Sequence, residues 1–384
     1  MGLLRLILAL AVVIGHAPQQ FSILLVPGDV AVEMFFMISG FYMALILSTR
    51  YDTKNSAGIG AFYVARFLRL WPAYAITAAI LYAWLALIPI VTGHPAMGAF
   101  EAPLQSPVWK GLVGFSNLTM IGQDVLTLFH VTPQGDVVLT FGPPAELDDG
   151  SQSLGYARIV GQAWSIGAEI WFYSIVPFLI RLKSLSLVAV AAASFSLRLM
   201  LGQHFGLTIY FFFPAQLGLF IAGMLAYRWR KILWADSRML GLVGLSALLG
   251  IVVVFNFVFP WPEDYKWGVY SLLFIFMPAI FETFKTNAFD RLIGELSYPI
   301  YIIHRGIFAI VGQIYLKLEG TLPSGVVMLL LVVCAAGVIY FTVDAPVDRF
   351  RHWLVRNKIR PNIHITEVVT PLSSPSPSGG TDRQ

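Results

Sequence analysis

Charge is what this chain has least of. Asp, Glu, Lys and Arg make up only 12% of its 384 residues, against about 25% in a soluble domain. With 57% hydrophobic residues and a mean hydropathy of +0.74, a water-soluble fold is excluded and the chain reads as an integral membrane protein. Cysteine is nearly absent too. The one cysteine, Cys334, sits in an apolar run, which rules out a disulfide framework or a cysteine metal site. His, Asp and Glu nowhere show metal-ligand spacing, so no metal is expected. H-E-x-x-H, Walker and dinucleotide glycine motifs are missing, as is G-x-S-x-G. There is no internal repeat, and so no inverted-repeat signature of the kind many transporters carry. The formal net charge of +4 invites a nucleic-acid partner, but the cations gather in alternate loops, as the positive-inside rule requires, so none is expected.

What is present is a series of apolar stretches. Those at 3–25, 30–49, 70–91, 161–180, 184–202, 207–227, 239–259, 267–284, 296–316 and 324–343 are each read as a membrane-crossing helix. The expected fold is all-α, a polytopic bundle of about ten transmembrane helices with both termini cytoplasmic. All but six of the 25 Lys and Arg then fall on the cytoplasmic side. The six are Lys110, Arg158, Arg198, Lys266, Arg305 and Lys317, and the skew favours this topology over its inverse. In this reading Arg50, Lys54, Arg66 and Arg69 lie in a cytoplasmic loop before the third helix.

Residues 93–160, rich in Gly, Pro and acids such as PPAELDDG, are expected outside. Their apolar middle, KGLVGFSNLTMIG, is too short to span and suits a partly buried or re-entrant element. The seventh helix should end at a Pro260-Trp261-Pro262 aromatic belt. The transmembrane domain is expected over 1–350. Residues 351–384 read as a basic, then Ser/Pro-rich disordered cytoplasmic tail. Arg5, an apolar run and Ala17 imitate a signal peptide. Pro18 after the cut disfavours cleavage, so the segment is kept as the first helix.

The informative residues are the polar ones inside apolar runs. Arg5 and His16 stand eleven apart in MGLLRLILALAVVIGH, almost three turns, hence on one face and ~16 Å apart along the axis. Either they are a functional pair facing the protein interior, since ionisable groups in lipid are costly, or Arg5 anchors topology and His16 is a chance polar residue at a frayed end. Glu33 interrupts GDVAVEMFFMISGFYM near its outer end, as a headgroup-facing or a functional carboxylate. Ser39 and Gly40 there allow a neighbouring helix to approach closely.

Arg66 and Arg69 in FYVARFLRLWPAY share a helical face. Their forked donors suit phosphate, while an ordinary charge cluster anchored by Trp71 and Tyr74 reads equally well from composition. Glu169 in AWSIGAEIWFYSIVPF, five residues after Trp164, needs a partner or a water-filled cavity. IGELSYPIYIIHRGIF contributes Tyr298, Tyr301 and His304, with Arg305 beside the histidine. His304 is read as either a packing or a catalytic group. Arg198, Asp344 and Asp348 complete the set, and Asp344 is expected to pair with a tail arginine.

Taken in order, the Arg5–His16 spacing, VEMFFMISGF, RFLRLWPAY, WSIGAEIWFY, LIGELSYPIYIIH and VDAP resemble the landmarks of the membrane-bound acyltransferase 3 family over about residues 1–350. The resemblance implies a bacterial O-acyltransferase of the inner membrane. Its donor would be acyl-CoA, acetyl-CoA by default, used from the cytoplasm as a substrate rather than a bound cofactor. The acceptor would be a hydroxyl of a surface or exported glycan or lipid-linked saccharide.

By motif match, His16 takes the place of the family's catalytic histidine and Arg5 that of its partner arginine. Arg66 and Arg69 match the paired arginines associated with CoA. Glu169 matches the acidic position of the helix-4 motif, and Glu33 stands where Asp is usual. Asp344 stands where Glu is usual, and His304 falls in the later Ser-Tyr…His block. Tyr298, His304, Trp164 and Ser39 are expected to bind substrate or support the site. His16 is expected to act as general base, oriented by Glu169 or Glu33. Some relatives carry a fused SGNH hydrolase-like domain, and none is expected here. The competing reading is a secondary transporter or flippase for a glycan or organic acid.

Overall fold

In the computed structural model, residues 1–17, 25–93, 102–140, 150–205, 208–234, 236–258, 265–317 and 324–354 are described. The end of the first apolar stretch, nearly all of the PPAELDDG run, the Pro260-Trp261-Pro262 belt and the tail from residue 355 lie outside the described residues.

The helices in chain order are α1 (Gly2–His16), α2 (Gly28–Thr49), α3 (Ser56–Thr92), α4 (Pro107–Thr119), α5 (Trp164–Leu179), α6 (Ser184–Phe205), the single turn α7 (Thr208–Phe211), α8 (Phe213–Arg228), α9 (Arg238–Val258), α10 (Tyr265–Phe284), α11 (Ala288–Lys317), α12 (Gly325–Ile339) and α13 (Ala345–Leu354). Among the described residues, five segments are long and apolar enough to cross a membrane: Gly28–Thr49, Ser56–Ile90, Ser184–Gly202, Tyr265–Phe284 and Gly325–Leu354. Gly2–His16 and Arg238–Val253 are shorter apolar helices. The expected spans at 161–180, 207–227 and 296–316 correspond to α5, to α7 with α8, and to α11. The described residues form a predominantly helical membrane bundle with one small sheet.

Several boundaries differ from the sequence reading, for local reasons. α1 stops at His16, not near residue 25. Ala17, which precedes Pro18, is extended at φ −65° and ψ 135°, because a proline ring disfavours helical backbone in the residue before it. His16 is therefore at the end of a helix rather than midway along one. α3 begins fourteen residues before Leu70, where the Asn55 side chain caps it by accepting the Gly58 N–H at 2.7 Å. Arg66 and Arg69 are thus helical residues, not loop residues. α12 passes through a π-turn, Tyr340–Asp344, directly into α13. Helix consequently crosses the expected 350/351 domain boundary.

Two interhelical contacts set the core. α2 packs on α8 with backbones almost touching. A Cβ built at Gly40 would lie 1.9 Å from the Phe220 carbonyl oxygen, and one at Gly223 equally close to that of Met37. Only glycine fits at such a crossing. Phe220 then stacks between Phe36 and Phe172, ring centres 4.6 and 4.3 Å away. α1 packs on α11, where Asp290 accepts the Gly2 and Leu3 backbone N–H groups at 2.7 and 2.9 Å. A carboxylate from a neighbouring helix thus satisfies the free amides at the start of α1.

The segment between α3 and α5 carries α4 and a three-stranded antiparallel sheet, in the order Val137–Leu139, Phe129–Val131, Gln152–Ser153. The far end of α4 docks on the middle of α3. There the Tyr74 hydroxyl donates to the Asn117 carbonyl at 2.7 Å and the Trp71 indole to that of Leu118 at 3.0 Å.

Candidate active site

Where α1 meets α11, two imidazoles face each other. The His16 and His304 ring centres are 5.2 Å apart and tilted by 54°. The Nδ1 of His16 is 2.8 Å from the Val12 carbonyl oxygen, and that of His304 is 2.7 Å from the Tyr301 carbonyl oxygen. A carbonyl can only accept, so each ring carries its proton on Nδ1 and keeps a lone pair on Nε2. The environments diverge from there. His304 is fully buried and its Nε2 has no partner. His16 is exposed, onto a cavity of about 870 Å³.

Besides His16 this cavity is lined by Trp84, Arg158, Trp164, Tyr301 and Arg305, among others. Tyr301 is pinned by Ser165, hydroxyl to hydroxyl at 2.7 Å. Arg158 gives its Nε–H to the Gly161 carbonyl at 3.2 Å and its Nη1–H to that of Gln123 at 3.0 Å. Burial, and then the neighbouring Arg305 charge, push the Arg158 guanidinium down to about 10, so it stays charged at neutral pH. Near the base of this loop Asp124 is 3% exposed and accepts the Trp171 indole N–H at 3.1 Å. Burial pushes its carboxyl up to about 6.

The three arginines singled out in the sequence form a separate group, and none of them lines the cavity. Arg5 lies within electrostatic reach of Tyr42, Arg69, Glu295 and Glu169. Arg69 interacts with Asp344, Asp348, Glu295 and Tyr298. Arg66 rests 6.0 Å from the centre of the Phe62 ring, and its buried Nε has no partner. Tyr298 ties α11 to α3 by donating to the Leu70 carbonyl at 2.6 Å.

The two carboxylates expected to orient His16 do not touch it. Glu169 accepts the Ser39 hydroxyl at 2.6 Å and the Tyr173 hydroxyl. Glu33 is 1% exposed and far from being a headgroup-facing residue. It forms an ion pair with Arg198 and accepts from Gln216 and Tyr270. The Val12 carbonyl, one turn below His16 on the same helix, orients the ring instead. Of the tail arginines expected to pair with Asp344, Arg356, Arg360 and Arg383 lie outside the described residues. Among the described residues no cation comes within 4.0 Å of Asp344, although Arg69 and Arg351 lie within electrostatic reach, and its Oδ2 is buried without a hydrogen bond. Arg351, one turn beyond Asp348 on α13, pairs with that residue instead.

Sequence reasoning did not place Arg158 and Arg305 in one cavity, nor pair Arg198 with Glu33. A signal existed. All three arginines are among the six cations that break the positive-inside pattern, and a cation on the unfavoured side is there for a local reason.

The pattern of a family described as an acyltransferase domain matches residues 1–341. An uncharacterized protein of Aquifex aeolicus (strain VF5) is 26% identical over 208 residues, covering 50% of this chain and 90% of that protein. No solved structure matches. A family match across nearly the whole membrane bundle, from before Arg5 to beyond His304, means that this chain belongs to the membrane-bound acyltransferase 3 family.

Proposed function

We propose that the protein moves an acyl group, acetyl by default, from acyl-CoA to a hydroxyl of a surface or exported glycan or lipid-linked saccharide, with His16 as general base. The observation that carries this reading is the state of His16. Its Nδ1–H is committed to the Val12 carbonyl, and its ring opens onto a cavity large enough for a sugar. The unprotonated Nε2 takes the proton from the acceptor hydroxyl. The oxygen attacks the thioester carbonyl, the C–S bond breaks, and the CoA thiolate leaves with the proton from the imidazolium.

The donor end is the arginine group. CoA is multiply anionic, and Arg66, Arg69 and Arg5 supply forked cations at the end of α1 opposite His16. The long thin pantetheine arm follows α1 over the ~16 Å between Arg5 and His16. His304 packs behind the catalytic ring, Trp164 and Tyr301 wall the cavity, and the Ser39–Glu169 bond holds α2 to α5. The arginine end is cytoplasmic in this reading and the membrane is a bacterial inner membrane, in line with the alternation of Lys and Arg along the chain.

The test uses the full-length protein in lipid vesicles with acetyl-CoA labelled in the acetyl group and an envelope glycan extract. Label should pass to glycan with stoichiometric release of CoA. His16→Ala should slow this by about 10³-fold, the scale of general-base catalysis, with an unchanged melting temperature. Wild-type transfer by that variant removes His16 from the chemistry. Movement of saccharide across the vesicle without acyl-CoA consumption replaces the enzyme by a transporter or flippase.

A further inference from the structure

Arg158 and Arg305 converge on one residue from different parts of the chain. Arg158 reaches the Gly161 carbonyl through Nε, and Arg305 Nη1 lies 3.1 Å from where a Cβ would sit on Gly161. A side chain at Gly161 would crowd Arg305. Both guanidiniums line the His16 cavity and each lies in the other's field. Neither has a carboxylate within 4.0 Å among the described residues. Asp29 shares the cavity wall without pairing to either. Asp124, the acid electrostatically nearest Arg158, is bonded to Trp171. Two like charges held side by side in a partly desolvated cavity are unfavourable unless an anion joins them. Forked donors take carboxylate and phosphate in particular. Arg158 has spent its Nε–H and one Nη1–H on backbone carbonyls, which leaves its other N–H donors for a ligand.

We infer that the acceptor is an anionic saccharide, one carrying a carboxylate or phosphate that Arg158 and Arg305 clamp while its hydroxyl meets His16. This rests on the acyl-transfer reading of the cavity, but the test needs no turnover. Binding of methyl glucuronide, methyl glucoside 6-phosphate and neutral methyl glucoside to the full-length protein in nanodiscs is measured by calorimetry. At least one charged sugar should bind about tenfold or more tighter than the neutral one, the scale of a hydrogen bond to a charged group. Which arm gains says whether the group is a carboxylate or a phosphate. The advantage should vanish in Arg305→Met and Arg158→Gln and survive in Arg305→Lys.

Arg158 also braces the loop, so the Arg305 variants keep the test decisive if Arg158→Gln lowers the melting temperature. Acetyl-CoA affinity should be the same in all of them. Three results overturn the inference: equal affinity for all three sugars, including none detectable; a preference untouched by both neutral substitutions; or a loss of acetyl-CoA binding in the variants, which would assign the cavity to the donor's phosphates. Failure of acyl transfer itself would appear instead in the labelled-CoA experiment.

Discussion

Glu33 and His16 occupy neighbouring helices and are both out of place in an apolar bundle, yet their surroundings differ in one respect. Every direction around Glu33 is answered: Arg198 neutralises it and Gln216 and Tyr270 donate to it. Among the described residues His16 is answered on one side only, by Val12, and its other nitrogen is left without a proton beside an open cavity. A buried polar group with all its partners holds helices together, and one with a partner missing is available for chemistry. Burial and charge alone would rank the two the other way, since Glu33 is the more buried and bears a formal charge.

The sharpest way to break this contrast is to truncate both. His16→Ala should remove transfer and leave the melting curve in place. Glu33→Ala should do the reverse, destabilising the fold by about 3–5 kcal/mol through an abandoned Arg198 charge, with the transfer rate per folded molecule retained. A second step sharpens it. The double variant Glu33→Gln with Arg198→Met removes both charges at similar volume and should recover most of the lost melting temperature. Arg66→Ala and Arg69→Ala come next in size. Each should raise the acyl-CoA KM by about tenfold while the acceptor KM stays put, because neither side chain lines the cavity.

The smallest effect belongs to Asp124, which falls between the two cases, with the Trp171 indole and backbone N–H donors but no paired cation among the described residues. Its carboxyl is raised from 3.8 to about 6 in the folded state. The unfolded chain therefore loses this proton first, and stability falls as the pH rises from about 4 to about 6. In Asp124→Asn that decline in melting temperature should flatten.

The site was legible where one helix carries it. Arg5 and His16 share a face by arithmetic, and Arg66 with Arg69 likewise, even though the helix holding them starts earlier than apolarity suggests, at an Asn55 cap. Gly40 was readable as a place of close approach. The partners of Glu33 were not readable, because Arg198, Gln216 and Tyr270 come from three other helices far along the chain. Nor was the orienting group of His16. A backbone carbonyl is present at every residue, so no sequence pattern singles out Val12.

The sequence by itself determined that this is a membrane bundle, that a handful of ionisable residues had to be sheltered within it, and which family's landmarks it carries. Those follow from transfer free energies and helical repeat, which are properties of residues in order. Only the tertiary structure decided which charges cancel and which remain exposed to a cavity. It put Arg198 against Glu33, and set Arg158 and Arg305 beside His16 with no acid paired to either among the described residues. Such pairings arise from helices distant in sequence, and electrostatic energy depends on distances between them that no local pattern encodes.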